Sequence, residues 1–239
     1  MLYNLVSEVP DITKGESMTR SKLSFLFLGK EDDIYCSAAL DFCRLHSNKV
    51  TWCLGKWGDP LPDDIEAWHG DYIISYLSRW VIPEILLKRA RKAAFNFHPA
   101  SPEYPGIGCN NFALYEDAKE FGVTCHHMAP RVDSGSIIKV LRFPVFPVDT
   151  VATLLARTYA YQLVLFYDIV AGIFSGRELP VSEENWTREP FTREQFNDLM
   201  KITPDMSREE IARRVRATSF GSYQPGVELG GYSFGLRTG

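Results

Sequence analysis

Five cysteines in 239 residues include no Cys-x-x-Cys pair, which leaves neither a zinc ribbon nor a thioredoxin-like redox motif. An odd number of thiols is no disulfide framework. Cys36, Cys43, Cys53, Cys109 and Cys125 are expected to be reduced and to act as small apolar residues, with Cys36 and Cys43, seven apart, on one buried helical face. There is no His-Glu-x-x-His, and adjacent His126 and His127 on a strand point to opposite faces, so no metal is expected. No apolar run reaches the roughly 18–20 residues that span a bilayer. The most apolar window, Val164 to Phe174, is short and carries Asp168. The first twenty residues lack the basic start and apolar core of a secretory signal. A cytoplasmic protein with no membrane partner is expected. Basic excess is missing too: 26 Lys and Arg face 30 Asp and Glu, a net charge of −4, which argues against a nucleic-acid partner because phosphate neutralisation needs a basic face. The basic clusters Lys88 to Lys92 and Arg208 to Arg216 are expected as solvated helix faces or helix C-terminal charge.

What is present alternates between strand and helix. Leu23 to Leu28, Lys49 to Leu54, Asp71 to Ser75 and Ala93 to Phe97 read as strands. Between them lie helical patterns at Ile34 to Leu45, around Ile65 to Trp68, and at Pro83 to Ala90. This predicts an α/β fold, a Rossmann-like, mostly parallel twisted sheet flanked by helices. A helix at Asn110 to Lys119, strands at Gly122 to Met128 and Ser136 to Phe143, and a long helix from Thr150 to Phe174 follow. Residues 1–20 read as an extension, in which Met18 is a candidate start; residues 21–176 form the main domain. Residues 177–239 form a small C-terminal region with helices at Thr192 to Met200 and Ser207 to Arg216, the latter opened by a capping box. Its Gly- and aromatic-rich tail suggests a hairpin. The first strand is followed by Gly29-Lys-Glu-Asp-Asp rather than Gly-x-Gly-x-x-Gly, and acidic residues there disfavour a dinucleotide pyrophosphate. Ligands on such sheets still gather at the carboxyl ends of the strands.

Asn96 and His98 lie at one of those ends, two apart and so on the same side of the strand. About thirty-five residues on, Asp133 completes an amide, imidazole and carboxylate set. Acyl transfer to an amine needs a donor for the developing oxyanion, a group that moves protons near neutral pH, and a carboxylate that orients it. The three supply these roles. The same residues also fit a hydrogen-bonded structural pair, and His126 fits either a place near the site or a structural role.

Asn96-Phe-His98-Pro-Ala-Ser-Pro-Glu-Tyr104-Pro-Gly106, then Gly122-Val-Thr-Cys-His126, then Val132-Asp133-Ser-Gly135 resembles the formyltransferases that use N10-formyltetrahydrofolate. The likeness covers about Leu23 to Pro147, with the motifs in order. It implies that Asn96, His98 and Asp133 are the catalytic residues. It implies a folate pocket lined by Leu77, Trp80, Val81 and Ile82, with backbone groups from Met128, Ala129 and Val132 at the pterin edge; Trp80 and Ile82 also read as core. Tyr104, Gly106 and Tyr223 are the substrate-side candidates, although packing is the favoured use for Tyr223. The loop after His98 departs from the Ser-Leu-Leu-Pro of the purine and tRNA branches, and no large C-terminal domain is expected. In these respects the chain is similar to sugar N-formyltransferases that act on nucleotide-linked 4-amino-4,6-dideoxyhexoses. The implied co-substrate is N10-formyltetrahydrofolate without a metal, the implied partner is a nucleotide-linked amino sugar, and the apolar Thr150 to Phe174 helix with the tail suggests a homodimer.

Overall fold

The computed structural model describes residues 20–221 and 223–236; the expected extension up to residue 19, with Met18, lies outside them. Alternation along the first strand, β1 (Ser21–Lys30), sets up two layers. Phe25 and Phe27 face one side, Leu26 and Leu28 the other, and all four are fully buried. Apolar residues on both faces mark a strand covered by helices on both sides. Around it run β2 (Ser47–Gly55), β3 (Gly70–Tyr76), β4 (Ala90–His98), β5 (Glu120–His127) and β6 (Ile137–Pro144), in the order β2-β1-β3-β4-β5-β6. The first four pair in parallel and the last two run antiparallel. This is the predicted mostly parallel Rossmann-like sheet.

On the Phe25 face lie α1 (Ile34–His46) and α5 (Val151–Phe174). Asp33 caps α1 by accepting from the Tyr35 and Cys36 N–H groups, and Cys36 and Cys43 are buried as expected. Phe166 on α5 meets Phe97 at 5.1 Å and Tyr76 at 5.3 Å between ring centroids. Burying such a ring stabilises the fold by about 2–3 kcal/mol. Most of the apolar residues of α5 are therefore used in the core, with Val164 left exposed, and the helix itself gives no argument for a dimer. The opposite layer is smaller: Leu26, Leu28 and Ile73 meet Ile65, Ile82 and Leu86 from the short α2 (Asp63–Glu66), α3 (Glu84–Leu87) and the segment before α3. Among the described residues no helix is long and apolar enough to cross a membrane.

Three local expectations change. The helix expected at Pro83 to Ala90 is one turn, because Ala90 already pairs with Gly70 in the sheet. The basic cluster is thereby split: Lys88 sits beside Glu84 at 2.6 Å, and Arg91 leaves β4 to meet Asp71 at 3.0 Å. The helix α4 (Cys109–Tyr115) stops four residues short of Lys119, since Asp117 takes a left-handed φ of 51°. Ala118 and Asp117 then donate back to the Ala113 and Leu114 carbonyls, a Schellman closure with Asp in the place of Gly. In the third case Ser207 caps α7 (Arg208–Thr218), but Glu210 does not return the bond; its carboxylate is drawn to Arg213, Arg214 and Tyr115. Beyond α5 lie α6 (Arg193–Leu199), capped reciprocally by Thr192 and Gln195, and a second sheet of β7 (Lys201–Ile202), β8 (Gly226–Leu229) and β9 (Tyr232–Gly235). The tail hairpin is closed by Gly230 and Gly231, both at positive φ.

Candidate active site

A cleft of about 430 Å³ opens at the carboxyl ends of β1, β3 and β4, where parallel sheets collect ligands. Asn96 and His98 enter it from β4, while Phe95 and Phe97 on the alternate face go to the core. Asp133 arrives from the loop between β5 and β6, with a left-handed φ of 46° that a non-glycine residue rarely adopts. Strain of that kind persists where surrounding bonds over-determine it. Here the Gly106 N–H donates to Asp133 Oδ2 at 2.9 Å. Gly106 must be glycine: at φ 89° a Cβ would lie 2.4 Å from the Phe191 carbonyl oxygen.

The predicted constellation is assembled. His98 Nδ1 lies 3.3 Å from Asp133 Oδ2, and His98 Nε2 lies 3.1 Å from the Tyr104 carbonyl. A carbonyl only accepts, so Nε2 carries a hydrogen, and the proton free to come and go is the one on Nδ1. Burial pushes Asp133 up, but the neighbouring His98 and the Gly106 N–H outweigh it and hold the carboxyl at about 2. Asp133 is thus a fixed negative charge beside the imidazole.

His126 is the residue that sequence reasoning left undecided, and the structure puts it in the site. It stands opposite Asn96 in the β4–β5 ladder. Its Nδ1 faces the His127 carbonyl at 2.9 Å and so carries the hydrogen; its Nε2 is then free to accept from the Asn96 amide at 3.1 Å. Asp133 Oδ1 is 3.5 Å from the same Nε2. The Asn96 side chain is thereby held with its nitrogen toward His126, and its second N–H has no other partner among the described residues.

Leu77, Trp80, Val81, Ile82, Met128, Ala129 and Val132 all line the cleft, as does Gly106. Two substrate-side candidates do not. Tyr104 is buried with its ring near Phe121 and Phe191; it serves the site through its carbonyl, an atom no residue-type argument singles out. Tyr223 is bridged to Phe220 in the C-terminal region and is not part of the cleft lining. The Tyr104 ring is taken up by apolar packing against Phe121 and Phe191, whereas the Tyr223 side chain is exposed to solvent away from the cleft. Lys30, Trp57, Arg79, Arg131 and Tyr159 also line the cleft. Lys30 is bound to Asp33 at 2.8 Å and Arg131 to Glu189, while Arg79 makes no ion pair among the described residues. Among those residues no group of three His, Cys, Asp or Glu side chains is placed to hold a metal ion.

Residues 59–168, from the loop after β2 to the last third of α5, match the formyl transferase family. That match takes in a little under half of the chain. The chain's relatives include a GDP-perosamine N-formyltransferase of Brucella melitensis, 29% identical over 66% of this chain and 60% of that protein. They also include a methionyl-tRNA formyltransferase of Enterococcus faecalis, 27% identical over 70% of this chain and 55% of that one. The chain thus spans a little over half the length of these curated relatives. Among solved structures, a sugar N-formyltransferase from a Shewanella species superposes with a TM-score of 0.73, covering 90% of this chain and 97% of that one at 18% identity. At that identity the likeness speaks for the fold. The formyl transferase match takes in Asn96, His98, His126 and Asp133. It stops short of everything after α5.

Proposed function

We propose that this chain is an N-formyltransferase that moves a formyl group from N10-formyltetrahydrofolate to the amino group of a nucleotide-linked amino sugar. The observation that carries the reading is the set of buried His98, His126 and Asp133 with half-buried Asn96 at the strand ends of a formyl transferase fold. Beside it runs an apolar wall of Leu77, Trp80, Ile82 and Met128. A flat heteroaromatic ring system fits such a wall, which meets water at Val81 and Val132. Leu77 to Ile82, with Met128, Ala129 and Val132, would hold the folate, and the bound folate supplies an activated formyl group.

The rest of the chemistry belongs to this chain. Holding the sugar amine against the formyl carbon removes much of the entropic barrier. As the amine nitrogen forms its bond to that carbon, the free N–H of Asn96 faces the oxygen on which negative charge develops. The carbon–N10 bond breaks, the amine gives up one proton, and N10 takes one, so atoms and charge balance. His98 Nδ1, oriented by the Asp133 carboxylate 3.3 Å away, relays that proton. No metal and no covalent enzyme intermediate is needed.

The acceptor is supported by the Brucella relative, whose name gives a GDP-linked substrate, and by Lys30 and Arg79 at the cleft, which suit the diphosphate of such a compound. Residues 21–176 carry the chemistry and residues 177–239 close the site in this reading. A cytoplasmic location accords with the same substrates. A homodimer is supported by the exposed side chains of Leu229, Tyr232 and Phe234 on the tail hairpin, since exposed apolar faces mark interfaces. The test is a mass-spectrometric assay with N10-formyltetrahydrofolate and a panel of nucleotide-linked amino sugars. Formylation of one of them is expected. Formylation of glycinamide ribonucleotide alone would move the chain to purine synthesis, and folate binding with no product on any amine would make it a binding module.

A further inference from the structure

The segment between α5 and α6 has no regular structure of its own, yet it is tied along the catalytic face at several points. Ser182 N–H donates to the Ile137 carbonyl, Thr187 N–H to Pro102, and Phe191 N–H to Pro105, while Ile107 N–H donates back to Phe191. Arg188 meets Glu116 at 2.8 Å, and Glu189 pairs with Arg131 of the Asp133 loop. In the middle of this strap sits Trp186. Its ring centroid lies 5.7 Å from that of His98 and 5.0 Å from that of His126, both near edge-on at 71° and 86°. Its indole N–H donates to the Gly135 carbonyl at 2.8 Å. Gly135 is two residues beyond Asp133 and packed so closely on β5 that a Cβ would lie 1.8 Å from the His127 carbonyl oxygen.

One side chain therefore touches both imidazoles and ties down the loop that supplies the carboxylate, from a part of the chain outside the family match. Trp186 is not in the cleft lining, so it acts on the reacting groups through others. We propose that Trp186 is a positioning residue of the site: its ring covers His98 and His126, and its indole N–H fixes the loop that carries Asp133. Two physical consequences follow. Covering the imidazoles keeps water from the His98–Asp133 pair, where exclusion strengthens their mutual attraction. Fixing Gly135 holds Asp133 in its strained left-handed backbone, where a small displacement would separate it from His98. This rests on the formyltransferase reading for its kinetic consequence, but not for its geometry.

The test compares Trp186→Ala and Trp186→Phe with the unaltered protein in two readouts. The first is steady-state kinetics with N10-formyltetrahydrofolate and the amine substrate. Trp186→Ala is expected to lower kcat by about 10²-fold, the scale of a 1 Å misplacement, with KM for both substrates within about twofold. Trp186→Phe keeps a ring but not the N–H and recovers a large part of the loss. The second readout needs no activity: diethyl pyrocarbonate labelling of each of the five histidines, mapped by peptide mass spectrometry. His98 and His126, 4% and 3% exposed, should label much faster in Trp186→Ala and remain protected in Trp186→Phe, with exposed His69 as the internal standard. Unchanged labelling and unchanged kcat in Trp186→Ala would overturn the proposal. If Trp186→Ala does not fold, by circular dichroism, Trp186→Phe decides: kcat equal to that of the unaltered protein overturns the role of the N–H, and a loss with protected histidines supports it. If no amine is formylated by any form, the functional reading fails, and the labelling alone judges the proposal.

Discussion

The two walls of the cleft are built in opposite ways. On the β4–β5 side, His98, His126 and Asp133 are almost wholly buried, and each polar atom of the two rings has a named neighbour. On the other side, Val81 is 71% and Val132 48% exposed, and apolar side chains face open space. The first wall is organised before anything binds, which is where electrostatic stabilisation of a transition state gains most, since nothing has to reorient during the reaction. The second holds apolar surface that only a ligand can cover, and covering it is favourable by about 25 cal/mol per Å². If chemistry falls to the first wall and affinity to the second, as proposed, substitutions should separate them.

The largest effect belongs to the organised wall. His98→Ala should lower kcat by about 10³-fold, within the range that positioned acid–base groups contribute, while the protein keeps its fold by circular dichroism and still binds folate. Asn96→Ala should cost about 10²-fold in kcat, as loss of a single oxyanion donor does. On the apolar wall the signature inverts. Trp80→Ala should raise KM for N10-formyltetrahydrofolate about tenfold and leave kcat within about threefold, the pattern of uniform binding lost. Its ring lies against Gly55 and its indole N–H reaches the Asp59 carbonyl at 2.9 Å, so a melting curve should accompany the kinetics.

Acid adds a further difference between the walls. The Asp133 carboxyl is held at about 2 against an ordinary value of 3.8. A carboxyl with a depressed value in the folded state contributes stability above about pH 4, and that contribution disappears as the pH falls toward 2. The amount is on the order of 2 kcal/mol. Asp133→Asn should therefore flatten the fall in urea midpoint between pH 4 and pH 2; an identical fall in both forms would remove Asp133 from the acid response. The smallest effect is expected for Tyr223→Ala, within about twofold in kcat and KM, since its side chain is outside the cleft lining.

These walls were not equally readable beforehand. The organised wall has local marks in the sequence: Asn96 and His98 alternate with Phe95 and Phe97, so strand geometry alone places them on one side and the rings on the other. The strand–helix alternation likewise announces the sheet, because apolar residues on both faces of β1 demand cover from helices. The short α3 was harder. Lys88 to Lys92 looks like a helix end until β4 is known to begin at Ala90, a pairing set by Gly70 far away in the chain. Tyr104 misled for a different reason, as its contribution is a backbone carbonyl while its ring packs elsewhere. Trp186 had no mark at all. It stands alone in a polar, Pro-punctuated stretch, and its partners His98 and His126 lie 60 or more residues away, brought near only by the course of the strap.

The most direct test of the account is a single-turnover experiment with an isotopically labelled formyl group on N10-formyltetrahydrofolate and a nucleotide-linked amino sugar, run with the unaltered protein and with His98→Ala. The account predicts that the label appears on the sugar nitrogen in the first and stays on the folate in the second, although both proteins bind the folate. Equal transfer by the two proteins, or label that stays on the folate in both, would contradict it.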